Sequence, residues 1–266
     1  MNKVYKDNSI KIIMIILLVA IICASSYYLF SNLFNQNKEN DEFKELENII
    51  KVTDENNVVE EQNLTNEEEK EDSNVTYYSI DLSSLKSKNN DLVGWIKVDG
   101  TNINYPVMQN GQYYLKKNFY KNNSQLGTPF LAQNCNIKTS DNLIIYGHHI
   151  KTGLMFADID KYKNYNFYKN HKYIKFYTLE NEKTKENLYE ICFAFKTVAN
   201  SNGFNYYNYT KLDNNDYFSN FVESCRNIEL YNTYVETRLG DKFLTLSTCE
   251  YSQKDGRMVI VGRKIN

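Results

Sequence analysis

The chain of 266 residues is poor in most of the features that announce a binding chemistry. It lacks an excess of charge, since 31 basic residues against 33 acidic ones leave a net charge of −2. Nothing in that balance points to nucleic acid or another polyanion as a partner. It lacks paired cysteines. Cys23, Cys135, Cys192, Cys225 and Cys249 form no Cys-x-x-Cys spacing, so a metal site is not expected. Histidine is scarce, and any acid–base role for imidazole falls on His148, His149 or His171. Arginine is scarce too, with only Arg226, Arg238, Arg257 and Arg263. In a chain that overwhelmingly uses lysine, an arginine points to a need for its planar fork. Proline occurs twice and glycine ten times, whereas tyrosine and phenylalanine are plentiful at 23 and 14.

The first stretch without charge is also the longest. Ile12 to Phe30 is an uncharged run of nineteen residues, about the length that spans a bilayer. Lys3, Lys6 and Lys11 precede it, which orients residues 1–11 toward the cytoplasm and makes residues 12–31 a membrane anchor. A cleaved signal peptide is the alternative, but the small residues Ala24-Ser25-Ser26 are followed by Tyr27, Tyr28, Leu29 and Phe30, as in an anchor. Ile22 before Cys23 disfavours a lipoprotein signal. Residues 32–76 are dense in Glu, Asp and Asn and include the charge run Glu67–Asp72, which reads as an acidic, disordered linker. Within it Leu46, Ile49, Ile50 and Val52 could give one helical turn or two.

Residues 77–266 have a globular pattern. Ile80, Leu82 and Leu85 predict a short helix, and β-prone runs follow at Leu92–Val98, Ile103–Met108, Gly127–Leu131 and Leu143–Tyr146. Pro106 marks its strand as an edge or a bulge. Leu154, Met155, Phe156, Ile159 and Tyr162 have helical spacing. Tyr173–Thr178 and Leu188–Val198 read as paired strands, and Leu244–Thr248 and Met258–Arg263 close the chain. Between them Tyr217, Phe218, Phe221, Val222 and Cys225 fall on one helical face, with Asp213 or Asn214 as cap, and that face is expected in the core. Tyr206, Tyr207 and Tyr209 are candidates for a groove, though aromatics of this kind more often pack partly exposed. About eight strands with few helices favour a closed β-barrel. Cys192 and Cys225 are expected in the core, Cys135 lies on a loop, and a disulfide among the three is disfavoured.

The candidate chemistry sits at strand ends. The run from Phe243 to Thr248 leads into Cys249, which can present its sulfur at a sheet edge. Arg257 lies eight positions on, across a tight loop, where it could return to the same edge. A guanidinium beside a thiol favours the reactive thiolate, and it can stabilise an oxyanion. A thiol nucleophile also needs a partner base, and Asn142–His149 is a second β-prone run that ends on Gly147 and two histidines. Neighbours on a strand point to opposite sides, so only one of His148 and His149 can face the thiol.

These residues resemble the active site of a sortase. Thr245–Cys249, Tyr146-Gly147-His148 and Arg257 carry the resemblance, and Ser247 and the Cys-to-Arg spacing look most like class B. Val93–Val98 and Thr101–Val107 resemble the first strands of that class. The resemblance implies a sortase-like barrel with an N-terminal helix and a helix in the long connection before the penultimate strand. It selects His148 as the partner of Cys249, leaves His149 as a surface or turn residue, and places Tyr146, Ser247 and Glu250 beside the substrate. It implies a cysteine transpeptidase on the outer face of a Gram-positive cell. Such an enzyme cuts a sorting signal of exported proteins after threonine and joins the thioacyl product to a peptidoglycan-precursor amine, with no cofactor. Two alternatives stand beside it: a non-catalytic surface-binding module, and another peptidoglycan-directed cysteine transpeptidase. The latter usually shows a glycine before the cysteine, where this chain has Thr248.

Overall fold

The computed structural model describes residues 2–53 and 78–266. Helix α1 (Asn2–Ile50) comes first. Residues up to Glu42 form one compact unit. In it the large apolar side chains from Ile13 to Phe34 stand exposed. Such a surface is unfavourable in water, and this helix is long and apolar enough to cross a membrane.

The second unit, Phe43–Asn266, begins well before residue 77. The segment read as an extended linker is helical through Ile50, and β1 (Lys51–Thr53) pairs antiparallel with β2 (Tyr78–Ile80). The cause is a stripe that the acidic composition hides. Phe43, Leu46 and Ile50 recur at helical spacing and are all buried. Phe43 meets the ring of Tyr105 edge-on at 5.2 Å, and Asp81 N donates to Ile50 O at 2.8 Å. Each such side chain contributes about 1.5–3 kcal/mol by leaving water. The rest of the expected linker, residues 54–76, lies outside the described residues, as does residue 77.

Helix α2 (Ser83–Lys88) leads into the barrel strands β3 (Leu92–Lys97), β4 (Asn104–Met108), β5 (Phe130–Leu131) and β6 (Asn142–Tyr146). A 3-10 helix (Ala157–Lys163) and helix α3 (Tyr165–Asn170) precede β7 (Tyr173–Glu180) and β8 (Lys183–Val198). Helix α4 (Asn215–Ile228) fills the long connection to β9 (Phe243–Cys249) and β10 (Gly256–Lys264). The eight strands close in the order β10-β8-β7-β3-β4-β5-β6-β9. The expected barrel, its strand number and the helix before the penultimate strand are all present.

Local chemistry explains the joints. Strands β7 and β8 meet in a tight turn whose Asn181 and Glu182 both have positive φ, the geometry that matches strand twist. Strand β4 is paired along its length only with β3 and meets β5 at a single position, so Pro106 sits where an edge is open. Asn214 caps α4 by accepting from Tyr217 N at 3.0 Å, and Phe221 and Cys225 face the core while Tyr217 turns outward. His171 is structural: its ring stacks on Phe167 at 4.0 Å and fills the space beside Gly100.

Candidate active site

Two strand pairings assemble the site. Strands β6 and β9 run parallel with Tyr146 opposite Ser247. His148 and Cys249 each lie two residues beyond that pair, so both leave the barrel at the same level. Strands β9 and β10 run antiparallel with Arg257 directly opposite Cys249. Glu250 N donates to Gly256 O at 2.9 Å, which makes the neighbouring Cys249–Arg257 pair the type whose side chains approach most closely. Cys249 is thus flanked by the histidine-bearing strand exit on one side and by the arginine on the other.

The rim is held in that arrangement. Gly147 N donates to Ser247 O at 3.2 Å, and Thr248 Oγ1 donates to Gly147 O at 2.8 Å. A Cβ on Gly147 would fall 2.5 Å from the ring of Phe156, so only glycine lets the chain turn here. His148 Nε2 lies 2.7 Å from Leu115 O. A carbonyl only accepts, so Nε2 carries a proton in this contact. Arg257 Nη1 donates to Gly256 O at 2.9 Å and weakly to Asp255 O at 3.4 Å. The guanidinium has further N–H groups to offer. Arg263, the other arginine on β10, turns instead to Glu190 at 3.6 Å.

His148, Cys249 and Arg257 line one cavity of about 630 Å³, together with Tyr146, Ser247, Tyr206, Tyr207 and Leu115. Ser247 is buried beneath it and shares a 2.6 Å hydrogen bond with the hydroxyl of Tyr206. Burial pushes the Tyr206 phenol up to about 12, against the opposing effect of the Ser247 hydroxyl, and burial raises Tyr146 as well. Both phenols are neutral hydrogen-bonding groups at ordinary pH. Tyr209, also a candidate for the groove, packs on Phe204 and Phe221 instead.

Cys249 is half-buried and free. Cys135, Cys192 and Cys225 are free but buried, and burial raises all three thiols, that of Cys135 to about 11. A thiol held protonated in an apolar core is a poor nucleophile. Among the cysteines of the barrel, only Cys249 combines access with cationic company.

Glu250, which the motif implies beside the substrate, has its carboxylate in a network of ion pairs. Its carboxylate is buried and turned to Lys163 at 2.8 Å, Ser252 Oγ at 2.6 Å and Lys196 at 3.4 Å. Burial alone would raise this carboxyl. The hydrogen bonds from Lys163 and Ser252 outweigh it and hold the group down at about 2. Glu250 therefore ties the loop after Cys249 to the 3-10 helix after the histidines. His149, expected as a surface or turn residue, is half-buried with Nδ1 2.9 Å from Cys249 O. Leu115 lies on a 3-10 helix (Tyr113–Lys116) and carries no motif by which the sequence could have marked it.

The chain is similar to known proteins over most of its length. The family model described as the sortase domain matches residues 96–265. Sortase B of Staphylococcus aureus is 33% identical over 189 residues, covering 69% of this chain and 74% of that protein. Sortase B of Listeria monocytogenes is 32% identical over 191 residues, covering 70% and 74%. A solved structure of the Staphylococcus aureus sortase B–substrate complex superposes with a TM-score of 0.62 at 32% identity, covering 70% of this chain and 84% of that one. The matched residues build the barrel and the rim that carries His148, Cys249 and Arg257, and they show that the chain belongs to the sortase family, in its class B.

Proposed function

We propose that this sortase uses Cys249 to cut a C-terminal sorting signal of exported proteins after threonine and to pass the acyl group to an amine of a peptidoglycan precursor. The observation that carries the reading is the convergence of His148, Cys249 and Arg257 on one cavity from three strand ends. In the reactive form Cys249 is a thiolate and His148 an imidazolium. The sulfur attacks the threonine carbonyl, and an Arg257 N–H donates to the oxyanion that forms. As the tetrahedral intermediate collapses, His148 gives its proton to the leaving amine and the C–N bond breaks. A thioester on Cys249 remains. The incoming precursor amine attacks it, His148 takes up the proton, and the thiolate leaves.

Tyr146 and Ser247 line the cavity and are assigned to the bound peptide. The likeness to a solved sortase B–substrate complex supports a peptide in this groove. The uncharged run after three lysines supports an N-terminus in the cytoplasm and a barrel outside, where exported proteins and wall precursors meet.

The test is cleavage of a panel of quenched peptides of the Asn-Pro-x-Thr-Asn and Pro-x-Thr-Gly types by the full chain in detergent. Cleavage after threonine that Cys249→Ala and His148→Ala both abolish supports the reading and names the signal. No cleavage, with a Cys249 inert to iodoacetamide, would overturn it and favour a non-catalytic surface module.

A further inference from the structure

Beyond the strand ends, the histidine segment and the cysteine loop are joined by contacts that the barrel itself does not require. His149 Nδ1 lies 2.9 Å from Cys249 O, and because a carbonyl only accepts, Nδ1 is the donor. In return Tyr251 Oη donates to His149 O at 3.0 Å, and the two rings meet at 5.1 Å between centroids. The peptide unit between Cys249 and Glu250 is thereby held at both ends, its carbonyl by His149 and its N–H by Gly256 O at 2.9 Å. On the other side, Phe156 N donates to His148 O at 2.8 Å, and His149 forms a β-bridge with Met155, whose φ is 58°. Strand β6 ends at Tyr146 and β9 at Cys249, and the last backbone bond of their ladder, Gly147 N to Ser247 O at 3.2 Å, lies before His148.

We infer that His149 is a positioning residue for the transfer reaction: it locks the peptide plane of Cys249 to the segment that carries His148, so that thiol and imidazole keep one relative placement while acyl groups come and go. It acts through the backbone and does not touch substrate. The inference rests on the reading of Cys249 as nucleophile and His148 as its acid. Placement matters here because a shift of about 1 Å in a reacting group can cost on the order of a hundredfold in rate.

The amide of asparagine can put an N–H where the histidine Nδ1–H sits. Phenylalanine keeps the ring against Tyr251 but donates nothing. The full chain in detergent is compared with His149→Asn, His149→Phe and Tyr251→Phe, using the quenched sorting-signal peptide that the wild type cleaves fastest and recording the melting temperature of each. His149→Phe is expected to lose about tenfold in kcat at unchanged KM, the worth of one neutral hydrogen bond, while His149→Asn stays within about twofold. Tyr251→Phe, at an exposed position that does not build the core, is expected to lose about threefold for its single weaker tie. A His149→Phe enzyme with wild-type kcat, or an Asn variant as slow as the Phe variant, overturns the inference alone. A wild type that cleaves no peptide and whose Cys249 resists iodoacetamide overturns the transpeptidase reading and takes this inference with it.

Discussion

Replacing Glu250 with glutamine removes one negative charge from the loop that joins Cys249 to Arg257, and its cost depends on pH in a way that identifies its cause. The folded carboxyl is held at about 2, below its ordinary value of 4.5, because Lys163 and Ser252 outweigh the effect of burial. It therefore binds its proton less tightly in the folded chain than in the unfolded one. The stability it supplies is fully present above about pH 4.5 and is lost as the pH falls through about 2. The gap between 4.5 and about 2 corresponds to about 3 kcal/mol at pH 7, falling to less than half of that at pH 3. Glutamine keeps the shape and one acceptor for Ser252, and Lys163 keeps Asp160 at 3.0 Å, so the comparison removes the charge together with the acceptor that faces Lys163. The assay is urea unfolding of residues 35–266, which contain the whole compact unit from Phe43 onward, at pH 7, 5 and 3. A Glu250→Gln penalty of the same size at pH 3 and pH 7, or one under about 1 kcal/mol at pH 7, would refute the reasoning.

Three other perturbations probe the frame and the rim. A chain that starts at residue 77 lacks β1 and the buried Phe43, Leu46 and Ile50, and it should be less stable than one that starts at residue 35 by roughly 5 kcal/mol. Equal urea midpoints would contradict that. Arg257→Lys keeps the charge but loses the fork, and kcat for peptide cleavage should fall about 10²- to 10³-fold with KM little changed. Gly147→Ala drives a methyl group to 2.5 Å from the ring of Phe156, which should cost about 1–3 kcal/mol and displace His148. The check is the melting temperature together with kcat, and an alanine enzyme as stable and as active as wild type would refute the packing argument.

Much of the barrel was legible because its strands are short β-prone runs with clear punctuation, and because the cysteine–arginine spacing is that of a hairpin. The pairing of β6 with β9 was not stated by any local feature, yet two strand ends bearing a histidine and a cysteine implied that they meet. The parallel register of Tyr146 with Ser247 supplies the missing geometry. The helix through Ile50 was hidden because composition averages over faces: three apolar residues at helical spacing bury one stripe whatever the other faces carry. The ion pairs of Glu250 were hidden for a related reason. Adjacent strand residues point to opposite sides, so sitting next to Cys249 in sequence sends its carboxylate away from the groove, to Lys163. His149 met the same argument from the other direction. Its ring faces away from the cavity, but it reaches the backbone of a residue a hundred positions later, a tertiary contact that no spacing encodes.

The most direct test of the central claim is the intact mass of the full chain after incubation with a cleavable sorting-signal peptide and no acceptor amine. The account predicts a thioester adduct equal to the acyl fragment ending at threonine. It should map to Cys249, be absent from Cys249→Ala, and discharge when an acceptor amine is added. Peptide cut at the wild-type rate by Cys249→Ala, or an adduct carried by another residue, would contradict it.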